Sequence, residues 1–109
     1  MGRLSTHVLD TSRGRPAKGV RIDLFRVAGG EDRTLAKTVR TNADGRTDEP
    51  LATDLAPGRY ALAYAVGDYF GTDEYLDVVP IRFGVALGTE HLHVALLVTP
   101  WSYTTYRGS

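Results

Sequence analysis

The chain has 109 residues, 42% of them hydrophobic and 24% charged, and its thirteen basic and thirteen acidic residues cancel to zero net charge. That length makes one domain, spanning residues 1–109, able to bury roughly two-thirds of its unfolded surface, and the composition is that of a globular protein. Eleven arginines are scattered along the chain rather than clustered, which argues against a nucleic-acid partner, since such a partner calls for a net basic patch.

There is no cysteine, so neither a disulfide framework nor thiol chemistry is available, and the chain fits a reducing compartment. No apolar run approaches the roughly 20 residues that span a bilayer, and no membrane partner is expected. Met1 leads directly into polar, strand-like sequence without a secretory signal. The expected location is the cytoplasm, with the periplasm left open.

Leu4 to Asp10 reads as a first strand. Leu4, Thr6 and Val8 share one face and Ser5, His7 and Leu9 the other, and the pattern alone does not decide which is buried. Thr11 to Gly19, punctuated by Gly14, Pro16 and Gly19, reads as a loop. Val20 to Val27 alternates Val20, Ile22 and Leu24 with Arg21 and Asp23, the pattern of a half-buried antiparallel strand. A turn over residues 28–32 leads to a third strand, Arg33 to Thr41, with Leu35 and Val39 as its main apolar contributors.

Thr41-Asn42-Ala43-Asp44-Gly45-Arg46 is a tight turn. Asn and Asp bond their own backbone and Gly supplies a positive φ, so Arg46 is placed just where the chain emerges. Residues 47–56 have room for at most a short strand. Tyr60 to Val66 is a strong strand, with Tyr60, Leu62, Tyr64 and Val66 on one face and three alanines on the other. Gly67 to Gly71 suits one helical turn capped by Asp68. A strand within Asp77 to Leu87 puts Ile81, Phe83 and Val85 on one face, and Pro80 suits a sheet edge.

The closing stretch, His91 to Ser109, reads HLHVALLVTPWSYTTYRGS. Leu92, Val94, Leu96 and Val98 form an all-aliphatic face, which must be the core face. His91 and His93 therefore project from the opposite face of the sheet. Pro100 ends the strand, and an aromatic tail follows that is expected to dock. Seven or eight short strands at this spacing predict an all-β fold, an antiparallel two-sheet β-sandwich with one short helix.

Histidine, with its near-neutral pKa, is the natural acid–base residue here. A sheet face carrying imidazoles, Leu9 and Leu97 instead of Thr, Lys and Glu calls for a cover, either a subunit or a ligand. His91 and His93, two apart on a strand, point the same way as two zinc ligands would, but a hydrolytic zinc site needs a third protein ligand, and no carboxylate pattern marks one out. Arg46 and Arg107 on their own read as solvated arginines. Ser109 is poorly activated as a nucleophile.

Three separated blocks carry a family resemblance. Leu-Ser-Thr-His7-Val-Leu-Asp, Thr-Asn-Ala-Asp-Gly-Arg46 and the ending from His91-Leu-His93 to Tyr106-Arg107-Gly108-Ser109 resemble the signatures of the 5-hydroxyisourate hydrolases, transthyretin-like enzymes of urate (purine) degradation. Only Ala95 departs from the pattern, where that family usually has proline. The resemblance implies the transthyretin (prealbumin-like) sandwich, with the first and penultimate strands in one sheet. It implies hydrolysis of 5-hydroxyisourate to 2-oxo-4-hydroxy-4-carboxy-5-ureidoimidazoline without metal or cofactor. It assigns His7 and His93 to water activation, Arg46 to oxyanion stabilisation and Ser109 to positioning, with Tyr106, Arg107 and Gly108 at the substrate. It also implies a homotetramer, a dimer of dimers, whose small-molecule substrate is purine-derived and whose sites lie in a channel between subunits.

Two other readings compete. Transthyretin-like carriers share the fold without the chemistry and lack the histidine, arginine and Tyr-Arg-Gly-Ser positions retained here. Thr-Asn-x-Asp-Gly and Leu55-Ala56-Pro57-Gly58-Arg59-Tyr60 also occur in prealbumin-like structural modules, so those two blocks speak for the sandwich rather than for catalysis.

Overall fold

A computed structural model describes residues 2–108. The described elements run in the order β1 (Gly2–Asp10), β2 (Arg15–Pro16), β3 (Arg21–Gly29), β4 (Asp32–Arg40), β5 (Ala52–Leu55), β6 (Gly58–Ala65), α1 (Val66–Phe70), β7 (Val78–Val85), β8 (His91–Val98) and β9 (Tyr103–Gly108). They form two layers. One sheet has the order β2-β1-β8-β9 with β5 also paired to β1, and the other has the order β4-β3-β6-β7. This is the expected β-sandwich with one short helix. All pairings are antiparallel except β1 with β8, which run parallel.

The alternation decides what points inward. Leu92, Val94, Leu96 and Val98 of β8 are buried, as their all-aliphatic face requires, and they meet Tyr60, Leu62 and Tyr64 of β6 and Ile22 and Leu24 of β3 in one core. On β1 it is the Leu4, Thr6 and Val8 face that is buried, leaving Ser5, His7 and Leu9 on the outer face. Thr6 is the polar member of this core. Its hydroxyl donates to the Val94 carbonyl (2.7 Å) and accepts from Tyr64 Oη (2.9 Å), so one buried bond ties the two sheets together. Asp10, fully buried at the end of β1, accepts from the backbone N–H groups of Ser12 and Arg13, from Ser12 Oγ and, through its other oxygen, from Tyr69 Oη on α1. A buried carboxylate is tolerable only with that many donors.

Four local expectations are corrected. Leu35 is 55% exposed rather than a core residue. The β3–β4 register slips between Leu24↔Lys37 and Phe25↔Leu35, so Ala36 is an extra, bulged residue that turns Leu35 to the outer face. Asp68 lies inside α1 rather than capping it; the N-cap is Ala65, with no side-chain cap bond, and the helix closes on left-handed Gly71. The segment 11–19 is not all loop, since Arg15 and Pro16 pair with Asp10 and Leu9. The C-terminal aromatic segment is a strand rather than an irregular docked tail: it turns back after Pro100 and pairs along β8 through six register pairs, from Val98↔Tyr103 to His93↔Gly108. Pro80 does sit on an edge strand, β7, as a residue without an N–H must.

Candidate active site

The outer face of the β1-β8-β9 ribbon is a small grid fixed by register. Arg3 stands beside His91; Ser5 beside His93 and Gly108; His7 beside Ala95 and Tyr106; Leu9 beside Leu97 and Thr104. The parallel β1–β8 pairing is unbroken from Arg3↔His91 to Asp10↔Val98, so Ala95 fits the strand without distortion. His7 and His93 are thus diagonal neighbours on adjacent strands, one residue pair apart. Both are half-buried.

The loop after β4 brings the arginine to this face. Asn42 Oδ1 accepts from the backbone N–H of Asp44 (2.9 Å) and of Arg46 (3.2 Å), and the Asn42 N–H donates to the Arg46 carbonyl (2.7 Å). Gly45, at φ 75°, lies against β1, where the Val8 N–H donates to its carbonyl (2.8 Å). A Cβ at position 45 would collide with the Val8 carbonyl oxygen. The loop then reaches His7 directly, because the ring Nε2 donates to the Asp44 carbonyl (3.0 Å). A carbonyl only accepts, so this bond places a proton on Nε2 and leaves Nδ1 as the basic nitrogen of neutral His7. Among the described residues no carboxylate pairs with the Arg46 guanidinium.

Both imidazoles are held below the ordinary histidine pKa. For His7 partial burial is the main cause and the Arg46 charge the second, with the Asp44 carbonyl bond and carboxylate opposing. For His93 partial burial leads again, followed by the charges of Arg46, His7 and His91. Low solvation and like charge both disfavour the cationic form. Near pH 7 the site therefore holds neutral imidazoles beside a fixed positive charge.

Of the other predicted site residues, Tyr106 lies on the same face, half-exposed and in register with Ala95. Gly108 lies beside His93, and a Cβ there would collide with ring atom Cδ2, so glycine leaves the room the ring occupies. Arg107 pairs with Val94, whose side chain faces the core, so the pleat directs Arg107 away from the histidines. Ser109 lies outside the described residues. Sequence reasoning missed Ser5, whose hydroxyl lies 2.8 Å from His93 Nδ1 and 3.1 Å from His91 Nε2. The two-residue spacing from His7 marked its face, but not its partners on β8. A cleft of about 230 Å³ opens beside the grid, lined among others by Arg3, Ser5, Arg46, Pro50 and His91. Among the described residues no group of three or more His, Cys, Asp or Glu could hold a metal ion, and no helix is long and apolar enough to cross a membrane.

Comparison with known proteins agrees with this geometry. The chain is 50% identical over 117 residues to 5-hydroxyisourate hydrolase 2 of Rhizobium meliloti (strain 1021), covering 99% of this chain and 97% of that one. The structure of Klebsiella pneumoniae 5-hydroxyisourate hydrolase superposes with a TM-score of 0.84 at 37% identity over the whole of both chains. Sea bream transthyretin in complex with thyroxine superposes with a TM-score of 0.86 at 25% identity, covering 96% of this chain and 93% of that one. The family model described as HIUase/Transthyretin matches residues 4–108. A sandwich of this topology, bearing its histidines and arginine on the outer face of the β1–β8 pair and matched by that model from the first strand to the last, belongs to the HIUase/Transthyretin family.

Proposed function

We propose that this protein hydrolyses 5-hydroxyisourate to 2-oxo-4-hydroxy-4-carboxy-5-ureidoimidazoline, with His7 and His93 activating water and Arg46 stabilising the oxyanion. The observation that carries the reading is the full-length 50% identity to a 5-hydroxyisourate hydrolase, and the site supplies a consistent chemistry. Water needs a base near pH 7, and an imidazole whose pKa is held down by burial and by Arg46 stays unprotonated there. As water attacks the ring carbonyl, one imidazole takes its proton and negative charge builds on the carbonyl oxygen. The Arg46 guanidinium, without a carboxylate partner among the described residues, would stabilise that charge. The amide C–N bond then breaks, the nitrogen leaves with a proton returned from the imidazolium, and the ring opens to a carboxylate. No metal or cofactor takes part in this scheme. Tyr106 forms one wall of the pocket, and Ser109 positions substrate or water.

The same reading includes a homotetramer. β9 is an edge strand, and it carries Tyr103 (42% exposed) and Tyr106 (55%), with Trp101 (58%) just before it. An unpaired edge with exposed aromatics is a template for another copy, and assembly would close the outer face into a channel.

The test is a coupled assay. Urate oxidase generates 5-hydroxyisourate from urate, and its ultraviolet decay is followed with and without this protein, beside His93→Ala and with chelator in the buffer. The expected outcome is decay well above the spontaneous rate, lost in the variant and indifferent to chelator. A folded wild-type protein that leaves the decay rate unchanged would instead favour a carrier of the transthyretin kind.

A further inference from the structure

We infer that Ser5 is a positioning residue for the hydrolysis, acting through His93 as the middle member of a His93–Ser5–His91 hydrogen-bond chain. The inference deepens the proposed function, since it rests on His93 accepting a proton from water.

The Ser5 hydroxyl lies between two ring nitrogens, His93 Nδ1 at 2.8 Å and His91 Nε2 at 3.1 Å. A hydroxyl has one proton to donate and two lone pairs to accept with, so it can donate to at most one of the two rings. For His93 this leaves two polarities. If Ser5 donates to His93 Nδ1, neutral His93 carries its proton on Nε2, and the ring has no free lone pair with which to accept another. If His93 Nδ1–H donates to Ser5, Nε2 is left bare, and the Ser5 proton is free to go to His91 Nε2. Only the second polarity makes His93 a base.

The surroundings restrict His93 in the same sense. Ser5 and His93 are register partners across the parallel β1–β8 pair, so the hydroxyl is held by two backbones. On the other side the ring edge at Cδ2 lies against Gly108 of β9. The ring is therefore fixed between strands, with Nδ1 committed to Ser5. When Nε2 takes a proton from water, the imidazolium that forms already has its Nδ1–H bonded, and Ser5 needs no reorientation. The hydroxyl thus has the role that an orienting partner of a catalytic histidine has elsewhere: it selects the tautomer and holds the ring. His91 matters here as the acceptor that keeps the Ser5 proton pointing away from His93. The titratable and charged groups facing His93 are His7 on β1, His91 on β8 and Arg46 on the loop.

The experiment has two arms. In the first, the histidine tautomers of the wild-type protein and Ser5→Ala are read from long-range ¹H–¹⁵N spectra at pH 7.5. The wild type is expected to show His93 protonated at Nδ1, and Ser5→Ala a mixture. A wild-type His93 protonated at Nε2 overturns the inference. In the second arm, Ser5→Ala and Ser5→Thr are compared in the coupled assay across pH. Ser5→Ala is expected to lose about 10-fold or more in kcat with KM little changed and a displaced acid limb, while Ser5→Thr, which restores the hydroxyl, recovers most of the rate. Wild-type kcat and pH profile in folded Ser5→Ala overturn the inference, as does a loss confined to KM. A wild type that fails to accelerate decay at all would overturn the hydrolase reading, and the tautomer spectra would still judge the Ser5 chain.

Discussion

Arg46 acts on the site in two ways that one substitution separates. Its charge holds both imidazoles below the ordinary histidine pKa, second to burial, and in the proposed mechanism its guanidinium stabilises the oxyanion. In Arg46→Gln the first effect disappears, so the acid limb of the kcat/KM profile should move upward, toward the unperturbed value near 6.5. The second should lower the plateau by about 100-fold. A profile that falls in height without moving would show that the charge does not reach the histidines. The same shifts bear on folding. A histidine whose folded pKa lies below its unfolded value binds fewer protons folded than unfolded, so its contribution is whole above pH 6.5 and declines as the pH falls toward the folded value. His7 and His93 therefore make the protein less stable on mild acidification.

At the scale of elements, the decisive piece is a loop. Residues 42–46 are held by the Asn42 side chain and seated on β1 through Gly45, so the position of Arg46 is set by backbone rather than by its own side chain. Gly45→Ala should show this. The left-handed backbone alone costs an alanine about 1–2 kcal/mol, and the collision with the Val8 carbonyl adds to it. Thermal unfolding should fall by about 5–15 °C, and activity at a temperature where the variant remains folded should drop with it. Full activity in a folded Gly45→Ala protein would mean that the loop does not place Arg46. This loop was legible in the sequence because Asn, Asp and Gly carry their turn chemistry locally. The aliphatic face of β8 was legible for the same reason, since alternation is a local signal. Leu35 was misplaced because a bulge in β4 changes parity without a mark in composition. Asp68 was misassigned as a cap because α1 continues directly from β6, with no loop in which a cap could sit. Ser5 escaped because its meaning depends on β8 lying beside β1 in a register that neither strand states. The face of Arg107 was likewise hidden, as it is decided by where the turn after Pro100 starts the return strand.

At the scale of the whole molecule, the open edge and the outer face make the same demand. A single chain leaves the histidine grid on a surface and exposes Trp101, Tyr103 and Tyr106 beside it. Analytical ultracentrifugation should find a tetramer at micromolar concentration, with activity per chain falling on dilution as it dissociates. Activity per chain that stays constant down to a monomeric population would show that one chain holds a complete site. In that case the aromatic edge would serve another purpose. The likeness to a thyroxine-bound transthyretin is instructive here, because a shared scaffold does not by itself decide function, which must be argued from the residues of the site.

The parallel pairing of β1 with β8 has a consequence in time as well as in space. The bond from Thr6 to Val94 spans 88 positions, and every strand between them belongs to the hairpins and crossovers that must be made on the way. A ribosome delivers His7 86 residues before His93, at about 5–20 residues per second, so for several seconds of synthesis β1 has no partner at its centre. Topologies dominated by such distant pairings fold in about milliseconds to seconds. The nascent chain thus carries the β1 half of the histidine face without its partner until β8 has been made. The imidazole grid arises as a late event of assembly, when β8 pairs with β1 and sets His93 beside His7.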